Sequence, residues 1–474
     1  MHNQDHKEIP VSESSFLTLN LKSALLDNLD SLEYREMTAI QSKALPPVLA
    51  GKDVIAQGKT GSGKTAAFGL GLLEKLDPGL YATQALVLCP TRELADQVAR
   101  ELRRLARGIH NIKILTLCGG VPIGPQAGSL ERGAHVVVGT PGRIDDHLRK
   151  GTLKLDRVNT FVLDEADRML DMGFEPALEA INARLPAKRQ NLLFSATYPD
   201  QLSSLARRMM NRPVTVKVES THGSATIRQH FYSFGENKHR MTALRLLLLK
   251  FRPESTLIFC NTKRETQEVA DELWGRGFAA IALHGDLEQR LRDRTLVRFA
   301  NRSASILVAT DVAARGLDID AVDAVINYHI AHDPEVHIHR IGRTGRAGSK
   351  GVAHTLFSDK EGYKVARLEA YLERSIEPEP LPPFTLLEKP PSKPVMACLQ
   401  IDGGKKQKVR PGDILGALTG HNGIAGKQVG KIHIFDHFSY VAVHRDAARP
   451  ALAKLTEGKI KGRSFRARRI SGPS

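Results

Sequence analysis

The chain holds 474 residues, a length that suits about three domains, with 41% apolar and 25% charged residues, the balance of a globular protein. Lys and Arg outnumber Asp and Glu by 68 to 52, and the resulting +16 favours a polyanionic partner, nucleic acid or a membrane surface. No apolar stretch approaches the ~18 residues of a membrane span, no signal-peptide core opens the chain, and Cys89, Cys118, Cys260 and Cys398 are too scattered for a disulfide or zinc framework, so a cytoplasmic protein is expected.

Short apolar runs of strand length alternate with helical periodicity. Val54–Ala56, Ala85–Cys89, His135–Gly139, Thr160–Leu163 and Asn191–Phe194 read as buried strands, and Glu93–Ala106 carries helical spacing between two of them. The pattern then restarts with Thr256–Cys260, Ala279–Leu283, Ile306–Ala309, Ala324–Asn327 and Val352–Leu356. Such strand–helix–strand units predict parallel sheets covered on both faces, hence two α/β domains, placed at 1–212 and 213–377. Open parallel sheets bind ligands at the carboxyl ends of their strands, so polar clusters there are the candidate sites.

The first such cluster, Gly58-Lys59-Thr60-Gly61-Ser62-Gly63-Lys64-Thr65, fits G-x-x-x-x-G-K-[ST] between a strand and a helix. Glycines let backbone N–H groups curl around phosphates, Lys64 reaches the β/γ oxygens, and Thr65 ligates Mg²⁺. The helix that follows offers its positive end to the anion. ATP and Mg²⁺ are the expected cofactors. One hundred residues after Lys64, an apolar strand delivers Asp164-Glu165-Ala166-Asp167. Alone, an acidic tetrapeptide equally suits a helix cap. With the phosphate loop upstream, Asp164 reads as the carboxylate that holds Mg²⁺ through water, and Glu165 as the group that polarises attacking water.

Asp164–Asp167, with Ser195-Ala196-Thr197 after the next strand, resembles the DEAD-box RNA helicases of superfamily 2. Further motifs of that family stand in order. Phe16, Tyr34 and Gln41 resemble the adenine-reading Q motif, here with Glu33 and Ala39 where Gly and Pro are common. An amide offers adenine a donor and an acceptor together, and an aromatic ring offers it a stacking face. Pro90–Ala95, Gly119-Gly120 and Thr140–Arg143 resemble the strand-contacting motifs of the first domain; His284–Arg290, Ala309–Asp318 and His339–Arg346 resemble motifs of the second. The resemblance spans about residues 16–360 and implies two RecA-like domains. It makes Asp318 a ribose contact and puts Asp167, Ser195, Thr197 and His339 in coupling between the domains. Arg343 and Arg346, three apart, share a face if helical, as an arginine-finger pair would. Thr91, Arg92, Gly120, Thr140, Arg143, Thr310 and Arg315 bring hydroxyl, guanidinium and backbone donors to strand ends. Such donors grip phosphate and sugar without reading sequence.

Charge concentrates at the C-terminal end. Val395 onward holds 15 Lys and Arg against 5 Asp and Glu, so +10 of the +16 sits in the last 80 residues. Residues 378–394 carry seven of the 24 prolines and predict a semi-rigid linker. Beyond it, strands at Met396–Ile401, Gly430–Ile434, Tyr440–Val443 and Ser464–Ala467 interleave with helices at Pro411–Leu418 and Ala447–Leu455. That β-α-β-β-α-β order is the split unit of RNA recognition motifs, so 395–474 is expected to be an RRM-like domain. Its aromatic signature is thin, with none on the first strand, and the basic residues Lys405, Lys406, Lys408, Arg410 and Lys461 are the candidate RNA contacts. Ile401–Lys406, Arg410–Thr419 and Gly458–Gly462 resemble the RNA-binding tail of one bacterial branch of the family. That resemblance implies targeting to a hairpin of 23S ribosomal RNA and a part in assembly of the large ribosomal subunit.

Two activities fit. One is an ATP-dependent helicase that locally unwinds or remodels ribosomal RNA; the other is an assembly factor whose ATP cycle only times attachment. A DNA helicase or a membrane ATPase suits the motifs less well.

Overall fold

The computed structural model describes residues 14–58, 61–218, 227–236, 239–314, 322–345 and 351–472. Lys59, Thr60, Arg315, Asp318 and Arg346 lie outside the described residues. The chain divides into two compact units, 1–221 and 222–474.

In the first unit, β1 (Val54–Gln57), β2 (Ala85–Leu88), β3 (Ile114–Leu117), β4 (Val136–Gly139), β5 (Thr160–Asp164), β6 (Gln190–Ser195) and β7 (Val214–Lys217) form one sheet in the order β3-β4-β2-β5-β6-β1-β7. All its pairings are parallel. Alternate side chains enter two cores. Val162 and Phe194 face one, while Phe161, Leu163 and Leu193 face the other, so the central strands are apolar throughout. β7 pairs with β1, so the first sheet runs past the boundary expected at 212.

The second unit begins with another parallel sheet. Its strands are β8 (Ile227–Ser233), β9 (Thr256–Cys260), β10 (Ala280–Leu283), β11 (Ile306–Thr310), β12 (Ala324–Asn327) and β13 (Gly351–Phe357), in the order β10-β11-β9-β12-β13-β8. The proline-rich segment after it is laid onto this domain rather than spanning freely. Its apolar residues decide that: Leu381, Leu386 and Leu387 pack against the core formed by Leu244, Leu247 and Leu273. Glu379 N also donates to Phe231 O at 2.7 Å.

The last strands are β14 (Met396–Ile401), β15 (Val429–Ile434), β16 (Ser439–His444) and β17 (Ala467–Ile470), an antiparallel sheet ordered β15-β16-β14-β17. Two helices, Pro411–Thr419 and Ala448–Glu457, cover one face. The last strand starts three residues later than expected. Lys461 (φ 53°) and Gly462 (φ 77°) make a tight turn, and Ile460 bridges Arg463 before the chain extends.

The other face of this small sheet is not open. Cys398 and Tyr440 are buried against Val297 of the Gln289–Ala300 helix, with Phe435, Phe438 and Ile470 around them. Arg298 Nη1 donates to Gly472 O at 2.7 Å, and Arg290 lies over the Phe438 ring at 5.3 Å. The C-terminal domain is therefore docked on the second parallel-sheet domain through the face on which related domains stack bases.

Among the described residues no helix is long and apolar enough to cross a membrane, and no cluster of three metal-ligating side chains occurs. The four cysteines are buried and unbridged.

Candidate nucleotide site and RNA interface

The carboxyl edge of the first sheet divides into two halves. β1, β6 and β5, adjacent in the sheet, deliver the phosphate loop, Ser195 and Asp164; β2, β4 and β3 deliver Thr91, Thr140 and Gly120.

The phosphate loop leaves β1 with Gly58 N bonded to Ser195 O at 3.0 Å. Gly61 (φ 84°) and Gly63 (φ 94°) adopt left-handed backbone that side chains disfavour. A Cβ at Gly63 would also lie 2.4 Å from Gln41 Nε2, so a larger residue there would displace the Gln41 amide. The helix Lys64–Lys75 begins with no side chain capping it, so its first N–H groups remain available to an anion. By contrast, Thr91 caps the Arg92–Leu105 helix by accepting from Leu94 N. Lys64 Nζ, beside this open end, donates to Gly58 O at 2.8 Å. An uncapped helix start, left-handed glycines and an inward lysine fit the phosphates of a nucleotide, and Thr65 stands on the first turn.

Asp164, at the end of β5, is buried, and burial raises its pKa to about 7. Lys64 pulls it down and Glu165 pushes it up. A buried carboxylate with so marked a preference for its neutral form is suited to a cation that would compensate its charge. Glu165 sits at φ 54° with Arg168 Nε 3.4 Å from its carboxylate. Asp167 accepts from Thr197 N (3.0 Å) and Thr197 Oγ1 (2.8 Å), and Asp167 N donates to Ser195 Oγ (3.3 Å). Burial alone would raise its pKa, but these hydrogen bonds hold it below the ordinary value. The acidic strand end and the Ser-Ala-Thr segment are thus one hydrogen-bonded unit within this domain.

Tyr34, Thr38, Gln41 and Arg104 line an open pocket of about 540 Å³. Tyr34 OH donates to Glu101 (2.9 Å) and accepts from Arg104 (2.6 Å). Phe16 is buried and meets Tyr34 edge-on at 6.2 Å, so it props the pocket wall instead of lining it. Gln41 Oε1 accepts from Thr38 N, and Gln41 Nε2 donates to Gly63 O at 3.1 Å, joining the pocket to the phosphate loop. Glu33, standing where Gly is common, has φ 60°.

On the RNA-motif half, Thr140 precedes the Pro141–Arg149 helix, and Arg143 donates to Gln126 Oε1 (3.0 Å) and Val121 O (2.9 Å). Arg92 has Asp96 at 3.9 Å, and Gly120 takes φ 75°.

In the second unit, Thr310 ends β11 and accepts from Ala313 N. Arg343 does not lie on a helix, although the spacing suggests one. The Pro334–Ile341 helix, which carries His339, stops at Gly342, and Arg343 lies in the turn beyond it. Gly345 (φ 66°) and the bond from Thr344 Oγ1 to Val322 O (2.5 Å) set that turn. Sequence reasoning passed over Arg340. Its guanidinium grips Asp311 through Nε and Nη2, both at 2.7 Å, donates to His329 O at 2.8 Å, and covers the Phe259 ring. Its place in His339–Arg346 was the available signal.

The C-terminal candidates Lys405, Lys406, Lys408, Arg410 and Lys461 are all exposed. Lys405 N and Lys406 N bond to the carbonyls of Phe435 and Asp436. Gly404 permits this approach, since a Cβ there would lie 2.2 Å from Phe435 O. Asp402 N donates to Arg466 O, so the lysine loop and the basic stretch before β17 adjoin.

A phosphate loop, a buried acidic strand end and a second parallel sheet with an arginine turn define a nucleotide hydrolase of two RecA-like domains carrying a small third domain. The comparisons narrow this. A model of the DEAD/DEAH box helicase matches residues 38–205, the helicase conserved C-terminal domain matches 239–348, and the DbpA RNA binding domain matches 398–469. The chain is 52% identical to the ATP-dependent RNA helicase DbpA of Escherichia coli K12 over 96% of its own length and 99% of that protein. It is 45% identical to the DEAD-box ATP-dependent RNA helicase CshA of Geobacillus kaustophilus over 77% of this chain and 78% of that one. Among solved structures, S. cerevisiae Dbp5 bound to RNA and ADP BeF3 matches with a TM-score of 0.70 at 32% identity, covering 78% of this chain and 96% of that one. The chain belongs to the DEAD-box family of ATP-dependent RNA helicases, and its C-terminal domain is an RNA-binding one.

Proposed function

We propose that this helicase remodels ribosomal RNA, directed by its C-terminal domain to a hairpin of 23S rRNA during assembly of the large subunit in the cytoplasm. The observation that carries the reading is the adjoining pair of exposed basic segments, Lys405–Arg410 and Lys459–Arg466, in a domain whose aromatic face is already occupied by Val297. Recognition then rests on loops that present cations to a folded RNA, not on bases stacked across the sheet. The match of residues 398–469 to the DbpA RNA binding domain supports the same assignment.

In the working cycle the first unit binds ATP through Gly58–Thr65, with Tyr34 and Gln41 at the adenine. Thr65 and Asp164 would hold Mg²⁺, which neutralises phosphate charge when bound. Glu165 orients the attacking water. Arg343 and Arg346 act on the γ-phosphate, with Asp318 at the ribose. Thr91, Arg92, Gly120, Thr140, Arg143, Thr310 and Arg315 hold one RNA strand by its backbone. Asp167, Ser195, Thr197 and His339 couple the two activities. Domain limits of 1–221, 222–377 and 395–474, with 378–394 between the last two, accommodate β7 in the first domain.

The test is RNA-stimulated ATP hydrolysis titrated with fragments of 23S rRNA and with unrelated RNA of equal length. A short duplex beside the effective hairpin is then followed in ATP and in ADP. Stimulation by one hairpin with strand separation only in ATP is expected. Equal stimulation by all RNAs overturns the targeting, and an intact duplex in ATP leaves a timed attachment factor.

A further inference from the structure

The ligand edge of the second sheet holds a charged ring in which Glu265, His329 and Glu361 lie outside the motifs named above. His329 follows β12, with both ring nitrogens facing carboxylates. Nε2 is 2.5 Å from Glu265 Oε1 of the Lys263–Gly275 helix, and Nδ1 is 3.6 Å from Glu361 Oε1 in the turn after β13. Nε2 is hydrogen-bonded to Glu265 while Nδ1 stands at ion-pair distance from Glu361, and two carboxylates on opposite sides of one ring favour the imidazolium over the neutral form.

The surrounding charges come from every packed element. Arg240, on the Arg240–Phe251 helix, donates to Tyr328 O and to Glu361 Oε2. Lys364, on the next helix, donates to Glu361 Oε1 at 3.2 Å, and Ser358 donates to Oε2 from its N–H and hydroxyl. Glu361 is therefore saturated with donors and held far below the usual carboxylate range. Glu265 also accepts from Asn261 N at 3.4 Å, and Asn261 Oδ1 accepts from Arg340 Nη2 at 3.4 Å. Arg340 returns to His329 through its bond to His329 O. The loop His329–Glu265–Asn261–Arg340–His329 is closed, and Arg340 within it clamps Asp311. Arg343 N is bonded to Arg340 O at 3.1 Å, so the turn bearing Arg343 starts from this ring.

We propose that His329, held as a cation between Glu265 and Glu361, is a positioning residue for ATP hydrolysis that fixes Arg340 and through it Arg343. The inference rests on the proposed role of Arg343 and adds to it a pH dependence. Burial lowers the affinity of His329 for a proton and Arg240 opposes it, but the hydrogen bond to Glu265 and the Glu361 carboxylate 3.6 Å from Nδ1 leave its pKa raised above the ordinary histidine value. The hold is complete below that ordinary value and is lost as pH rises through the raised one.

The experiment measures RNA-stimulated kcat and KM of the full chain from pH 6 to 9 for the natural protein, His329→Gln, His329→Lys and Arg343→Ala. The natural protein should lose turnover toward alkaline pH. His329→Gln should lack that limb and run about three- to tenfold slower near neutrality, the scale set by one ordinary hydrogen bond, with KM for ATP and RNA little changed. His329→Lys, which keeps a cation, should recover part of the turnover and hold it across the range. A His329→Gln profile that superimposes on that of the natural protein overturns the inference. Retained turnover in Arg343→Ala instead overturns the role of Arg343 alone. Should His329→Gln fail to fold, the histidine is titrated by NMR in the natural chain and in Glu265→Gln. A His329 resonance that titrates at or below the ordinary value, or that ignores loss of Glu265, also overturns it.

Discussion

Lys64 Nζ donates to the carbonyl of Gly58 across 2.8 Å, closing the phosphate loop on its own first residue. That bond holds the ammonium where phosphate oxygens are expected and asks little else of the fold. Lys64→Ala should therefore fold normally and lose ATP hydrolysis by about 10²-fold or more, the size typical of one electrostatic donor at a reacting centre. Steady-state ATPase with saturating RNA reads the effect; near-natural turnover would remove the lysine from the phosphate site.

Asp164 makes the ligand-free protein sensitive to pH in an unusual direction. Burial raises its pKa to about 7, so the folded state prefers the protonated acid and bears a cost once it ionises. Stability from the neutral form is complete below the unfolded carboxylate value and disappears as pH rises through about 7. Asp164→Asn should then be more stable than the natural protein at pH 8, on the order of 4 kcal/mol, with more than half of that advantage gone at pH 5. Thermal unfolding without nucleotide at both pH values decides it. An equal difference at the two would show that the carboxylate is not the source.

Val297 is the apolar centre of the seam between the Gln289–Ala300 helix and the C-terminal sheet. Arg298, whose pKa burial lowers to about 10, already crowds that seam with Arg290. Val297→Lys would add another cation beside Tyr440 and Cys398, with a desolvation penalty of about 2–5 kcal/mol. The expected result is release of an intact C-terminal domain. Hydrogen exchange should rise in the Gln289–Ala300 helix, while β14 and β16, whose N–H groups are bonded within their own sheet, stay protected around Leu399 and Val441. Unchanged exchange in the helix would mean the docking tolerates a buried charge.

What the sequence discloses depends on how far apart the interacting parts lie. β5 and Asp164 were readable because strand, acid and following helix are contiguous and the strand is apolar on both faces. β3, β7 and β8 were not read as strands. β3 and β7 are short flank strands, and β8 is an edge whose polar residues Arg228, Gln229 and His230 mask it. Arg343 and Arg346 carry helical spacing, yet Gly342 ends the helix before Arg343. Phe16 reads as the upstream aromatic of the adenine motif, and only the packing beneath Tyr34 shows it buried. The docking of Leu386 and of Tyr440 was hidden for a related reason. Each is an ordinary apolar residue in its own segment, and its partner stands more than a hundred residues away. Arg340 was within a motif already singled out, but a buried arginine looks like an exposed one until Asp311 is placed beside it.

Removing residues 395–474 should leave a folded ATPase that no longer prefers one RNA. The cut falls after the segment whose Leu381, Leu386 and Leu387 complete the second domain, so that core is preserved, and the new exposure is confined to the surface around Val297. The charge argues the same way, because the removed part holds +10 of the +16. The helicase motifs that remain present donors suited to backbone, which carries no sequence information. Loss of the basic loops should also flatten the salt dependence of RNA binding, since each phosphate neutralised contributes about one unit to the slope of log K against log salt. The measurement is ATPase stimulation by 23S rRNA and by an unrelated RNA of equal length, for both forms, with binding at two salt concentrations. The full chain should discriminate and the shortened one should respond equally to both, with a salt slope lower by several units. A shortened protein that still told the two RNAs apart would place recognition in the RecA-like domains and refute this division of labour.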